Sequence, residues 1–223
     1  MTRPEGELLI YGASGHALVV ADIVRLNGHA IAGFLDDRNP ERHGAAFGGA
    51  RILGGREQLA RFAREGGRHV LLAFGDCRAR LEVAEVVREA GLGLATAVHP
   101  AATVAAGVAV GAGTVVAAGA IVNPGATIGE NVIVNTGASV DHECVIGDAA
   151  HVGPGARLAG GVTLGEAAWV GIGAVVIERV RIGAGAVIGA GAVVLRDVPD
   201  RVVAYGVPAR VRRPVEAEGE GAT

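Results

Sequence analysis

The stretch Val134-Asn135-Thr136-Gly137-Ala138-Ser139-Val140-Asp141-His142-Glu143-Cys144-Val145-Ile146-Gly147-Asp148-Ala149-Ala150-His151-Val152 decides the fold. Branched aliphatics recur every sixth residue (Val134, Val140, Ile146, Val152), and four places after each lead stands a small side chain (Ala138, Cys144, Ala150). Read outward in both directions, the phase holds without insertion from Val104 to Val194, through Val110, Val116, Val122 and Ile128 on one side and Leu158, Leu164, Val170, Val176, Ile182 and Ile188 on the other. The position after the lead is often glycine, as at Gly111, Gly129, Gly147, Gly153, Gly165, Gly171, Gly183 and Gly189. Six residues cannot hold a helix and its return connection; they suit one short strand and one corner. Three such units close a triangular coil, and coils stack ~4.8 Å apart through parallel ladder hydrogen bonds. The lead aliphatic fills the prism interior, the small residue also turns inward, and glycine eases a crowded corner. The expected fold of this half is a left-handed parallel β-helix of hexapeptide repeats.

The preceding hundred residues have another rhythm. Leu8-Leu9-Ile10-Tyr11 reads as a strand ending in Gly12-Ala13-Ser14-Gly15-His16, followed by a helix carrying Leu18, Val19, Ile23, Val24 and Leu26. A strand at Ile31–Leu35 closes on Asp36-Asp37, and a helix near Arg56–Arg64 precedes a strand from His69 to Phe74 that ends at Gly75-Asp76. A further helix spans about Arg78–Ala90 with Leu81, Ala84 and Val87 on one stripe, and a last strand lies near Leu94–Val98. Alternating strands and helices make a small, Rossmann-like parallel α/β domain. The expected division is residues 1–100 as the Rossmann-like domain, 101–213 as the β-helix, and a disordered tail over 214–223.

Composition narrows the function. Aromatic residues are only 3% of the chain, so the core must be built from Val, Ile, Leu and Ala. Net charge is -3 with acids and bases interspersed, which leaves no nucleic-acid footprint and no membrane-surface patch. Every basic residue is arginine, which excludes a lysine nucleophile. Cys77 and Cys144 stand far apart without metal or redox spacing. Neither a signal-peptide pattern nor a run long enough for a transmembrane helix is read, so the expected setting is cytoplasmic.

Polar residues with chemical capacity gather in two places. Gly12-x-x-Gly15 lies between a strand and a helix, where backbone N–H groups suit an anion, and Asp36 follows at the end of the next strand, where an acid can meet a sugar hydroxyl. Gly75-Asp76 brings a third loop to the same sheet edge. In the β-helix, His142 and Glu143 occupy outward phases, with His151 nine residues on. An imidazole on a rigid wall can act as a general base, and a neighbouring carboxylate raises its basicity or fixes its tautomer. Solvated surface residues would show the same spacing.

Tyr11–His16, Phe34–Asp37, Asp141–Gly147 through His151-Val152, and the closing Gly206-Val207-Pro208-Ala209-Arg210 resemble the bacterial sugar acetyltransferases that join a small α/β domain to a hexapeptide β-helix. That family includes sialic acid O-acetyltransferases and UDP-4-amino-sugar N-acetyltransferases. The resemblance implies acetyl-CoA as acyl donor without a metal, a homotrimer, and an active site between the prism of one subunit and its neighbour. It implies His142 as base and Glu143 as its partner. It further implies Ser14, Gly15, His16, Asp36, Asp37 and Gly75 on the nucleotide sugar, and His151, Gly160, Ile172 and Ala190 along the CoA groove. Ala190, Gly173 and Arg210 depart from common family residues.

The expected reaction is N-acetylation of a nucleotide-linked amino sugar by direct transfer, with a backbone N–H near Gly160 facing the oxyanion. Acylation of a sugar hydroxyl or of sialic acid stays open. Three other readings compete. A zinc hydratase on the same prism needs three histidine ligands, whereas this prism offers His142 and His151. Nicotinamide redox chemistry lacks its full glycine fingerprint. A non-catalytic scaffold would leave His142-Glu143 without a task.

Overall fold

The computed structural model describes residues 6–216. The first domain contains β1 (Leu8–Tyr11), α1 (Gly15–Leu26), β2 (Ile31–Leu35), β3 (Ala46–Phe47), β4 (Ala50–Gly54), α2 (Gln58–Arg64), β5 (His69–Leu72), α3 (Cys77–Glu89) and β6 (Gly93–Leu94). Its sheet runs β3-β4-β2-β1-β5-β6, parallel except for the β3–β4 hairpin, which the sequence reading did not anticipate. β1 is buried at every position because it lies between β2 and β5 with helices on both faces. In α1 the buried face is Ala17, Val20, Ala21, Ile23 and Val24, while Leu18, Val19 and Leu26 are exposed. The small Ala17 and Ala21 let the helix approach the sheet, which a pattern keyed to large apolar residues does not capture. In α3 the buried stripe is Cys77, Arg80, Val83, Ala84 and Val87.

The segment expected as one strand near Leu94–Val98 splits. Gly93–Leu94 pairs with β5, whereas Ala97–Val98 pairs with Val115–Val116 and is the first rung of the prism. From there each coil takes 18 residues, as the pairings Val115↔Ile133, Ile121↔Ser139 and Thr127↔Val145 show. Three parallel sheets form the faces. The first holds Ala97–Val98, Val115–Val116, Ile133–Val134, His151–Val152, Trp169–Val170 and Val187–Ile188; the second includes Ile121–Val122, Ser139–Val140 and Arg157–Leu158; the third includes Thr127–Ile128, Val145–Ile146 and Thr163–Leu164. The lead aliphatics and small residues form one continuous interior, from Val116 and Ala120 to Val194 and Val198. At Gly147, which follows the lead Ile146, stacking requires glycine: a Cβ there would sit 2.8 Å from the Glu166 amide nitrogen of the next coil.

The prism ends in a hairpin, Val202–Gly206 with Ala209–Pro214, that extends the first face. Of the tail expected to be disordered, Pro214 pairs with Val202 and the Val215 N–H donates to the Arg201 carbonyl at 2.8 Å. Residues 217–223 lie outside the described residues.

The first domain docks on the first face. Ala13, Ala17, Val20 and Ala21 share a core with Ala95, Ala97, Val115 and Ala117, and Asn27 Nδ2 donates to the Val98 carbonyl at 3.0 Å. α3 reaches the edge between the third and first faces, where Arg88 pairs with Glu130. No described helix is long and apolar enough to cross a membrane.

Candidate active site

His142 and Glu143 form the corner between the second and third faces. The corner is anchored from below: Asn123 Nδ2 donates to Asp141 Oδ1 at 2.8 Å, and the same oxygen accepts the His142 N–H at 2.7 Å. These bonds hold the Asp141 carboxyl below its ordinary pKa. Glu143 has φ 58°, a left-handed conformation held by glycine in the coils below and above, Gly125 and Gly161. That backbone turns its carboxylate onto His142, with Nδ1 to Oε2 at 3.1 Å. A carboxylate only accepts, so in the neutral imidazole this contact favours the tautomer with the proton on Nδ1 and the lone pair on Nε2. The ring lies over Gly160 in the next coil, whose N–H has no partner among the described residues. A nitrogen lone pair and a free backbone donor are therefore neighbours at the end of an open ring, since the His142 side chain is 60% exposed. Cys144 points inward, its Sγ donating to the Ala159 carbonyl at 3.2 Å, and burial pushes its thiol pKa up.

The second cluster is a cleft of about 490 Å³ at the carboxyl edge of the first domain's sheet. Ala13, Ser14, Asp36, Asp37, Gly75 and Arg42 line it, with Arg38, Arg56, Asp76 and Glu82 around them. Gly12 is the glycine the turn demands: it has φ 122°, and a Cβ there would meet the Ala73 carbonyl oxygen at 2.8 Å. Ser14 is the N-cap of α1 but makes no capping bond, so its hydroxyl and the helix N-terminus face the cleft free. Asp36 is only 7% exposed, and its oxygens take N–H groups from Arg38, Asn39 and Arg42. It lines the cleft, but its oxygens are engaged by the loop after β2, which it organises. Arg42 continues to the Ala13 carbonyl at 2.9 Å and so joins that loop to the Gly-rich turn. Asp37 accepts from Arg56 and from the Tyr11 hydroxyl, which hold its carboxyl below its ordinary pKa, although partial burial opposes them. Burial and that carboxylate push the Tyr11 hydroxyl well up.

A third group lies where the domains meet. His151 is in an outward phase yet 6% exposed, stacked on Trp169 with ring centroids 5.3 Å apart. Asn135 Nδ2 meets its Nε2 at 3.1 Å, and Gly75 covers the other side of the ring. Among the described residues His16 Nε2 is buried without a hydrogen-bond partner, and His151 Nδ1 is buried with only the Gly75 backbone near it. Burial, with the Arg80 guanidinium nearby, lowers both imidazoles to a pKa of about 4. Arg80 itself is 1% exposed and bonds only to backbone carbonyls and the Cys77 sulfur.

Of the residues expected on the nucleotide sugar, Ser14, Asp36, Asp37 and Gly75 line one cleft, whereas Gly15 and His16 follow Ser14 in the first turn of α1 and do not line it. Those expected along the CoA groove do not meet within one chain. Gly160 is with His142, Ile172 and Ala190 are at the edge between the first and second faces, and His151 is under the first domain. His142 and His151 sit on different parts of the prism, so they do not converge as zinc ligands. Sequence reasoning missed Arg42, Arg56 and Arg80; the available signal for Arg80 was a charge three residues from Cys77 and four from Ala84 on the apolar stripe.

The matches with known proteins agree with this architecture. Residues 7–87 match the PglD N-terminal domain, and residues 125–160 and 161–196 match the bacterial transferase hexapeptide (six repeats). No curated protein matches the chain. Among solved structures, the chain is similar to a variant of GDP-perosamine N-acetyl transferase from Caulobacter crescentus in complex with CoA and GDP-perosamine. Identity is 40%, 95% of this chain and 99% of that chain are covered, and the TM-score is 0.89. It is similar to the acetyltransferase domain of PglB from Neisseria gonorrhoeae in complex with acetyl coenzyme A (35% identity, 92% and 98% covered, TM-score 0.85). It is also similar to WeeI from Acinetobacter baumannii (26% identity, 92% and 99% covered, TM-score 0.84). With an α/β domain joined to a hexapeptide prism and matches over nearly the whole chain, this protein belongs to the bacterial sugar N-acetyltransferases that couple a PglD N-terminal domain to a hexapeptide-repeat β-helix.

Proposed function

We propose that this CoA-dependent acetyltransferase acetylates the amino group of a nucleotide-linked 4-amino sugar, with His142 as general base. The observation that carries the reading is the orientation of His142, its Nδ1 tied to Glu143 at 3.1 Å and its ring end beside the free N–H of Gly160. An amine must shed a proton to attack a thioester carbonyl. His142 Nε2 takes that proton while the Glu143 carboxylate stabilises the imidazolium. The Gly160 N–H donates to the oxygen that gains charge in the tetrahedral intermediate; as that intermediate collapses, the C–S bond breaks and the departing CoA sulfur takes the proton back from the His142 imidazolium. Cys144 is buried with a raised pKa, and direct transfer asks nothing of it. In the cleft, Ser14 at the N-terminus of α1 receives the phosphates, with Arg38 and Arg42 beside it. A relative acting on GDP-perosamine supports an amine acceptor. In this reading the reaction takes place in the cytoplasm.

The working unit in this reading is a homotrimer. The first domain docks on the first face, and His142 stands at the edge opposite that face. A sugar held in the cleft therefore reaches the base of a neighbouring subunit. Exposed Val145, Ile172 and Val175 on the prism offer apolar contact surface for that neighbour.

The test is thiol release from acetyl-CoA with UDP- and GDP-linked 4-amino sugars, alongside free sialic acid. Turnover with an amino sugar, lost in His142→Ala while CoA still binds, is expected. Turnover only with a hydroxyl acceptor, or full activity in His142→Ala, would refute the reading. Mixing His142→Ala subunits with subunits damaged at Arg42 should restore activity if each site spans two chains.

A further inference from the structure

Arg80 is a buried cation that no described carboxylate pairs with. Its guanidinium bonds to both domains at once. Nη1 donates to the Phe74 and Gly75 carbonyls at 3.2 and 2.7 Å, which belong to the cleft wall. Nε donates to the Asn131 carbonyl at 3.0 Å, and Nη2 to those of Ala149 and Ala150 at 2.6 and 3.3 Å, in two successive coils of the prism. Nη2 also touches the Cys77 sulfur at 3.6 Å. The nearby acid, Asp76, is engaged in capping α3 through the Ala79 N–H at 3.0 Å.

Burying an unpaired charge is costly, and an apolar residue of similar volume often serves stability equally well. What an apolar residue cannot do is hold five carbonyls in one plane. A guanidinium presents its donors in a rigid fork, so the carbonyls at its two ends are fixed in distance and angle. One end is the wall of the nucleotide cleft. The other is the corner immediately before His151, whose ring packs against Gly75. Arg80 does not line the cleft and so touches no substrate.

We propose that Arg80 is a positioning residue that locks the nucleotide cleft to its own prism and, because prisms pack against one another in the trimer, thereby sets where the sugar amine is presented to the neighbouring subunit's base. This rests on the transfer reaction proposed above. Misplacement by about 1 Å costs on the order of a hundredfold in rate. Loss of the fork therefore acts on turnover more than on binding.

The experiment compares wild type with Arg80→Lys, which keeps the charge but cannot span both sets of carbonyls. In a variant that is folded by circular dichroism, kcat with a nucleotide amino sugar is expected to fall about ten- to a hundredfold. The Kd for UDP or GDP and the KM for acetyl-CoA should stay within about twofold. Should Arg80→Lys fail to fold, Arg80→Gln, which removes the buried charge and keeps an amide donor, is read the same way. An unchanged kcat overturns the proposal. So does a loss confined to the KM for the sugar nucleotide, which would make Arg80 a residue of pocket shape alone. A wild-type protein without turnover on any nucleotide amino sugar overturns the proposed function and this inference together, whereas an active wild type with an equally active variant overturns only the role of Arg80.

Discussion

The imidazole of His142 lies against Gly160 of the next coil, so closely that a Cβ at Gly160 would stand 2.5 Å from both Cε1 and Nε2. The two residues are one coil apart, hence stacked on the same edge of the prism. Glycine here is a matter of space: Gly160 is not among the residues with positive φ. Gly160→Ala should displace the ring from Glu143 and lower kcat about a hundredfold. Because His142 is exposed and can swing outward, stability should change by less than about 1 kcal/mol. Parallel thermal melts and initial rates check this, and wild-type turnover in the variant would show that the ring position is irrelevant.

Glu143 sets stability against chemistry. Its left-handed backbone costs about 1 kcal/mol relative to glycine. Glu143→Gly should therefore match or exceed wild-type stability by up to that amount, while turnover falls about tenfold or more because Nδ1 loses its acceptor. Glu143→Gln, which keeps a side-chain oxygen, should fall between the two in rate. Urea midpoints beside kcat separate the effects, and a more stable variant of full activity would remove Glu143 from the mechanism.

His16 and His151 make the fold sensitive to acid. Both stay neutral in the folded chain down to a pKa of about 4, whereas unfolding returns them to about 6.5. The unfolded chain thus binds the extra protons between those values. Stability is full above about pH 6.5 and falls as the pH drops toward 4, by about 3 kcal/mol per imidazole at most. Urea unfolding across that window should show the slope, and His16→Gln with His151→Gln should flatten it.

Asp36 acts through its loop. With its oxygens bonded to Arg38, Asn39 and Arg42, Asp36→Ala should cost about 2 kcal/mol and weaken nucleotide binding. Because it presents no free oxygen to a ribose, Asp36→Asn should leave the ratio of Kd values for UDP and 2′-deoxy-UDP unchanged. Calorimetry with the two nucleotides decides it, and a collapsed ratio would return Asp36 to direct ribose contact.

The prism was legible because each hexad carries its own inside and outside. Val140 and Cys144 face in and His142 faces out whatever the rest of the chain does, and the period of six recurs often enough to set the register. The cleft was legible because the loops after β1, β2 and β5 must end on one sheet edge. What the sequence did not show is that the Asp36 oxygens bond to Arg38, Asn39 and Arg42 of the following loop, since a side chain's partners leave no period.

By itself, the sequence determined the two folds, the order of domains, and the phase of every hexad, since these rest on local periodicity. Only the tertiary structure decided which prism face the first domain covers. That choice buried His151 in an outward phase, left Arg80 to bridge the domains, and put the cleft on the side opposite His142. Such relations depend on how α1 and α3 pack across residues far apart in the chain, where shape and backbone carbonyls decide, and neither leaves a period in the sequence.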